Sequence, residues 1–129
     1  MAKQQPETAI RVQVYQYLSM CPEFFGSVIR NSGMWDPVGK FYRAPSRGMH
    51  RGVADIIGVW NGQGLAVEIK TKRGVMSEQQ KHWHERWMAK GGLSVVIRSL
   101  DEIVDFVKSL RIVGSPYGFV ASNTSNSQT

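Results

Sequence analysis

Three residues of this chain have the types and the spacing for hydrolytic chemistry: Asp55, Glu68 and Lys70. Between the first two lies Asn61-Gly62, a dipeptide suited to a two-residue type I′ hairpin because both central positions need positive φ. If those two residues form the loop, Trp60 faces Gln63, Ile56 faces Val67, and Asp55 faces Glu68. Opposed Cβ atoms on antiparallel strands lie about 5 Å apart, where like charges destabilise each other, so the pair needs a compensating cation. Lys70 follows Glu68 by two residues and projects from the same face, while Val67 and Ile69 project into the other. A four-residue loop, Asn61 to Gly64, would shift the pairing and keep the three groups together. A three-residue loop or a bulge would separate them.

Two acids and a lysine on one sheet face suit hydrolysis of a phosphodiester. Hard oxygen ligands favour Mg²⁺ or Mn²⁺, which binds a non-bridging phosphate oxygen and lowers the pKa of a coordinated water. In this reading Asp55 and Glu68 are the ligands. Lys70, a compact ammonium, holds the attacking water or hydroxide and offsets charge in the transition state. Periodicity alone leaves a second reading open, with Glu68 and Lys70 on an ordinary solvated strand face and Asp55 at a strand end.

The elements that must position these groups alternate along the chain. Ile10, Val14, Tyr17 and Leu18 share one side of a helix from about Glu7 to Met20, which Pro22 prevents from continuing. Phe24 to Arg30 reads as a short strand. The segment Asn31 to Gly52 is rich in Gly, Pro and Arg, with a second strand expected around Val38 to Arg43. Val53 to Trp60 and Gly64 to Thr71 are the arms of the hairpin. Ser77 opens a helix to about Lys90, with Trp83, Trp87 and Met88 as its apolar side and Gly91-Gly92 ending it. Leu93 to Arg98 is then a buried strand, and Ser99-x-x-Glu102 is a capping box for a last helix carrying Ile103, Phe106, Val107 and Leu110. Residues 1–113 form the expected domain. Residues 114–129, rich in Ser, Asn, Thr and Gln, cannot supply a core and read as a flexible tail.

Composition narrows the function classes. A chain of 129 residues with 42% apolar content suits one packed domain. Sixteen Lys and Arg against ten Asp and Glu give a net charge of +6, which favours a polyanionic partner. No apolar run approaches the ~20 residues that span a bilayer, and the start MAKQQPET lacks the segments of a secretory signal. The expectation is a soluble protein of the cytoplasm of a bacterial or phage-infected cell, with no membrane partner. A single cysteine, Cys21, excludes an internal disulfide and a multi-cysteine zinc site, and reads as a small packing residue.

The ordered set Gly52-Val53-Ala54-Asp55-Ile56-Ile57-Gly58, Glu68-Ile69-Lys70, Ser77-Glu78-Gln79-Gln80-Lys81 and Gly91-Gly92 resembles the VRR-NUC branch of the PD-(D/E)XK nucleases. The resemblance covers roughly Glu7 to Leu110. It implies an α/β, restriction endonuclease-like fold with an αβββαβ core followed by a C-terminal helix. It further implies a divalent metal, Mg²⁺ or Mn²⁺, between the strand acids, and nuclease activity on DNA, often branched or flapped. Asp55 then matches the motif aspartate, Glu68 and Lys70 the E-x-K pair, and Gln80 the glutamine of the following helix. Glu7 matches the acidic residue that such enzymes place on the first helix as an outer metal or water ligand. Val53-Ala54 stands before the aspartate where the superfamily name has proline.

Several of these residues also have ordinary readings. Ser77-x-x-Gln80 is a capping box, so Gln80 could simply close the helix N-terminus. Glu7 could be a first-turn acid favoured by the helix dipole. His82 and His84 point about 200° apart on a helix and cannot chelate together, and His84 reads as a partly buried structural histidine. Trp83 and Trp87 read as core. Lys40, Arg43, Arg47 and Arg51, with His50, precede the hairpin and could grip phosphates beside the scissile bond. Lys72, Arg73 and Arg30 could extend that surface; the ordinary reading is a solvated, charged loop.

Three functions from different classes are compatible with these features: a metal-dependent deoxyribonuclease, a non-catalytic DNA-binding module on the same scaffold, and a basic assembly protein. Retention of Asp55, Glu68 and Lys70 together favours the nuclease, because a pure binder has no need of two acids near DNA phosphates. A homodimer would help so small a domain to cover a branched substrate.

Overall fold

The structure, a computed structural model, describes residues 5–29, 38–39 and 50–112 in full, and the backbone of 34–36, 41–43 and 113. Helix α1 (Glu7–Ser19) buries Ile10, Val14 and Leu18, one residue per turn on one side. It stops just short of Pro22, which cannot continue it. Strand β1 (Phe24–Val28) follows, then β2 (Met34–Asp36) and β3 (Phe41–Arg43), β4 (Ile56–Trp60), β5 (Gln63–Ile69), helix α2 (Glu78–Ala89), β6 (Leu93–Ile97) and helix α3 (Leu100–Val113).

The main sheet has the order β1-β4-β5-β6. Strands β1, β4 and β5 are antiparallel neighbours, and β6 joins β5 in parallel after the α2 crossover. Strand β5 is buried along most of its length, because it carries apolar residues toward both layers. Leu65, Val67 and Ile69 meet Ile10, Val14 and Leu18 of α1 and Ile103, Val107 and Leu110 of α3 in one apolar cluster. Helix α2 packs beside β6. Its register on the sheet brings His84 against Ser94 and Glu68, which lie on the face opposite to that cluster. The elements α1, β1, β4, β5, α2 and β6 are the αβββαβ core expected from the sequence, and α3 is the C-terminal helix.

Two expectations are corrected here. Instead of one strand over Val38 to Arg43, β2 and β3 form a separate antiparallel pair, with a turn at Val38-Gly39. The turn at Val38-Gly39 shortens the expected strand to its end, Phe41–Arg43. On α2, Trp83 and Trp87 are only half-buried and Met88 is exposed, so the side facing the sheet is that of His84. The two tryptophans stack on each other with centroids 5.1 Å apart and planes inclined by 19°. Trp87 also donates its Nε1–H to the Leu93 carbonyl at 2.8 Å, tying the end of α2 to the start of β6.

Cys21 is buried among apolar neighbours, in agreement with a packing role. Among the described residues no helix is long and apolar enough to cross a membrane. The expected tail, residues 114–129, lies outside the described residues.

Candidate active site

The hairpin forms with the expected register. Asn61 and Gly62 have φ of 47° and 88°, as a type I′ turn requires, and Trp60 pairs with Gln63 and Ile56 with Val67. Asp55 stands just before β4, one step beyond the Ile56–Val67 pair, which brings it level with Glu68. Its carbonyl accepts the Ile29 N–H at 2.8 Å, which holds the backbone in place at the entrance to the strand. Its side chain turns across β5, and Oδ2 accepts the Ile69 N–H at 2.8 Å.

Glu68 is the centre of the cluster and is only 2% exposed. Its Oε2 accepts a hydrogen bond from the Gln80 side-chain amide at 3.0 Å and lies 3.6 Å from Lys70 Nζ. Its Oε1 lies 3.2 Å from His84 Nε2. A buried carboxylate without partners would be strongly destabilising, and three donors from β5's end and α2 provide them here. Asp55 is less well compensated. Burial first, and then the neighbouring Glu68 carboxyl, push its pKa up to about 6, against the Ile69 N–H and the positive charge of Arg11, which both favour ionisation.

Gln80 closes the helix cap and reaches Glu68 as well, using opposite ends of one amide. Its Oε1 accepts the Ser77 N–H at 2.9 Å while the Ser77 hydroxyl accepts the Gln80 N–H at 3.1 Å, which completes a capping box. Its Nε2 remains free to donate to Glu68. The cap thus fixes the rotamer that reaches the carboxylate. The approach of α2 to the hairpin depends on Gly52, which has φ +78° and lies against the Gln79–Gln80 peptide, with room for no side chain.

The loop after Lys70 is held from β6. Arg98 donates through one guanidinium nitrogen to the carbonyls of Thr71 at 2.7 Å and Gly74 at 2.6 Å, and the Lys70 N–H donates to the Ile97 carbonyl at 3.1 Å. This clamp sits at the carboxyl ends of the parallel strands β5 and β6, next to the start of β4. Lys72 and Arg73, on the clamped loop, and Arg51, beside Gly52, are exposed.

Of the residues singled out from the sequence, Asp55, Glu68, Lys70 and Gln80 come together. Glu7 lies half-buried in the first turn of α1, and among the described residues no third His, Cys, Asp or Glu completes a metal-holding cluster with the strand acids. Its neighbour one turn on, Arg11, is the α1 residue whose charge reaches Asp55. Lys40, Arg47, Arg30 and the side chain of Arg43 lie outside the described residues.

A solved structure carries the same architecture. The chain has the fold of a VRR_NUC domain protein. The match covers 82% of this chain and 88% of that one at 20% identity, with a TM-score of 0.57. No protein-family model matches the chain, and neither does any curated protein. The resemblance drawn from Asp55, Glu68-Ile69-Lys70 and Ser77-x-x-Gln80 thus holds at the level of the fold that positions them.

Sequence reading missed three contributors to this site. His84 is buried against Glu68, where the sequence suggested only partial burial. Its one signal was its place one turn after Gln80 on the same side of α2. Arg11 had a comparable signal, one turn after Glu7. Arg98 had none, since its partners lie more than twenty residues away in the chain.

Proposed function

We propose that this chain is a divalent-metal-dependent nuclease that hydrolyses DNA phosphodiester bonds, with branched or flapped DNA as its substrate class. The observation that carries the reading is the pairing of half-buried Asp55 with buried Glu68, with Lys70 beside them, at one end of the sheet in a VRR_NUC-like fold. The donor set fits a hard cation: both groups offer carboxylate oxygens, and the two carboxyls lie close enough for Glu68 to help raise the pKa of Asp55. Asp55 and Glu68 would hold Mg²⁺ or Mn²⁺, which when bound supplies Lewis-acid polarisation of the phosphate and acidifies a water.

The chain's own groups do the rest. Lys70 Nζ lies 3.6 Å from Glu68, and in this reading it orients the attacking water and offsets negative charge that grows on the phosphoryl oxygens. Gln80 holds the Glu68 carboxylate through Nε2 and keeps it from rotating. Arg51, Lys72 and Arg73 supply phosphate contacts beside the scissile bond, a set that Lys40, Arg43 and Arg47 would extend from the preceding segment. Glu7 would act as an outer water ligand rather than complete a three-acid cage. A homodimer would span the arms of a branched substrate, and light scattering measures that directly.

The test is incubation with duplex, flap, four-way-junction and single-stranded DNA, with and without Mn²⁺. Cleavage is expected only with the metal, and it should disappear in Glu68→Ala and Lys70→Ala while circular dichroism shows both variants folded. Salt-dependent DNA binding with no metal-dependent cutting of any substrate would replace the nuclease by a non-catalytic binding module.

A further inference from the structure

The proposed metal ligand Glu68 is oriented by a residue that neither the sequence motif nor the resemblance assigns. His84 projects from α2 into the interior at 2% exposure, as buried as Glu68 itself. Its two ring nitrogens are both used. Nε2 lies 3.2 Å from Glu68 Oε1, and Nδ1 is hydrogen-bonded to the Ser94 hydroxyl on β6. An ionised carboxylate only accepts, so in the neutral ring Nε2 carries the proton and donates to Glu68, and Nδ1 accepts from Ser94. The carboxylate therefore fixes the tautomer, and the Ser94 hydroxyl, which can donate or accept, turns to match it. Ser94 on β6 pairs in register with Ala66 on β5, two residues before Glu68 and therefore on its face of the sheet.

The division of labour at Glu68 follows from these contacts. Gln80 and Lys70 address Oε2, and His84 addresses Oε1. One donor alone would let the carboxylate swing about its terminal torsion, which is broad for glutamate. Donors on both oxygens set the plane of the group, and Oε1, which faces His84 alone, keeps a further lone pair for a cation. We propose that His84, braced by Ser94, is a positioning residue that holds Glu68 in the orientation required to bind a divalent cation together with Asp55. The inference rests on the metal-site reading above. Loss of a group that orients a metal ligand weakens metal affinity about 10–100-fold in comparable sites.

Direct Mn²⁺ binding to the full chain, followed by calorimetry and by the electron paramagnetic resonance signal of free Mn²⁺, separates this role from a structural one. His84→Leu fills similar space without a donor, and His84→Gln presents an amide N–H at about the same reach. The leucine variant, folded by circular dichroism, is expected to bind Mn²⁺ about 10–100-fold more weakly than the unaltered protein, and the glutamine variant to recover to within about threefold. Should leucine not fold, His84→Asn serves in its place: its amide falls one methylene short of Glu68, and it should bind as weakly. A folded leucine or asparagine variant with undiminished Mn²⁺ affinity overturns the proposal, as does a glutamine variant no better than either. If the unaltered protein binds no Mn²⁺, the metal-site reading itself fails and takes this role of His84 with it.

Discussion

Two glycines with positive φ offer a matched pair for testing how the helix that carries Gln80 is seated. Gly52 has φ +78° and Gly62 has φ +88°, so alanine at either position adopts a backbone that L-residues avoid, costing about 1–2 kcal/mol. They differ in what a Cβ would meet. At Gly62, on the hairpin tip, there is nothing within 4 Å. At Gly52 it would stand 2.7 Å from the Gln80 nitrogen and against the Gln79 carbonyl, both backbone atoms that no rotamer change can move. Forced overlap of that kind costs a further ~1–3 kcal/mol. The expected destabilisation is about 1–2 kcal/mol for Gly62→Ala and about 2–5 kcal/mol for Gly52→Ala. Urea denaturation followed by tryptophan fluorescence measures both. The functional consequence diverges more sharply, because the relief of the overlap moves the first turn of α2 and draws the Gln80 amide from Glu68. Gly62→Ala should keep the proposed cleavage activity and Gly52→Ala should lose most of it under conditions where both are folded. Equal stability losses and equal activities in the two variants would refute the idea that contact between Gly52 and α2 seats the site.

Two other outcomes follow from the electrostatics. Asp55 has its pKa raised from 3.8 to about 6 in the folded protein, so its contribution to stability is whole below about pH 4 and is lost as the pH rises through about 6. In metal-free protein, Asp55→Asn should therefore be more stable than the unaltered chain above pH 6 and lose that advantage by pH 4; a difference in urea midpoint that is flat with pH would contradict the assignment. For DNA binding, about five phosphate contacts predict a log–log salt slope near −4 to −5, and Arg51→Ala, Lys72→Ala and Arg73→Ala should each reduce its magnitude by about one. A slope near zero in filter-binding or anisotropy titrations would remove these residues from the interface.

The amino-acid sequence by itself determined the hairpin and therefore the heart of the site. Asn61-Gly62 favours a two-residue type I′ turn and side chains alternate with period two; the structure adopts that turn, which brings Asp55, Glu68 and Lys70 into the expected register. The capping box at Ser77 and Gln80 was equally local, as was the apolar side of α1. Only the tertiary structure decided what surrounds Glu68. Which side of α2 meets the sheet depends on how the helix packs between Gly52 and β6. That packing turned His84 inward and left Met88 outside, against the apolar pattern. The parallel placement of β6 brought Ser94 under His84 and Arg98 onto the loop after Lys70, contacts that span the chain and leave no periodic trace. Turn chemistry and strand period act between neighbours in sequence and can be read there, whereas a buried carboxylate finds its donors through the packing of whole elements.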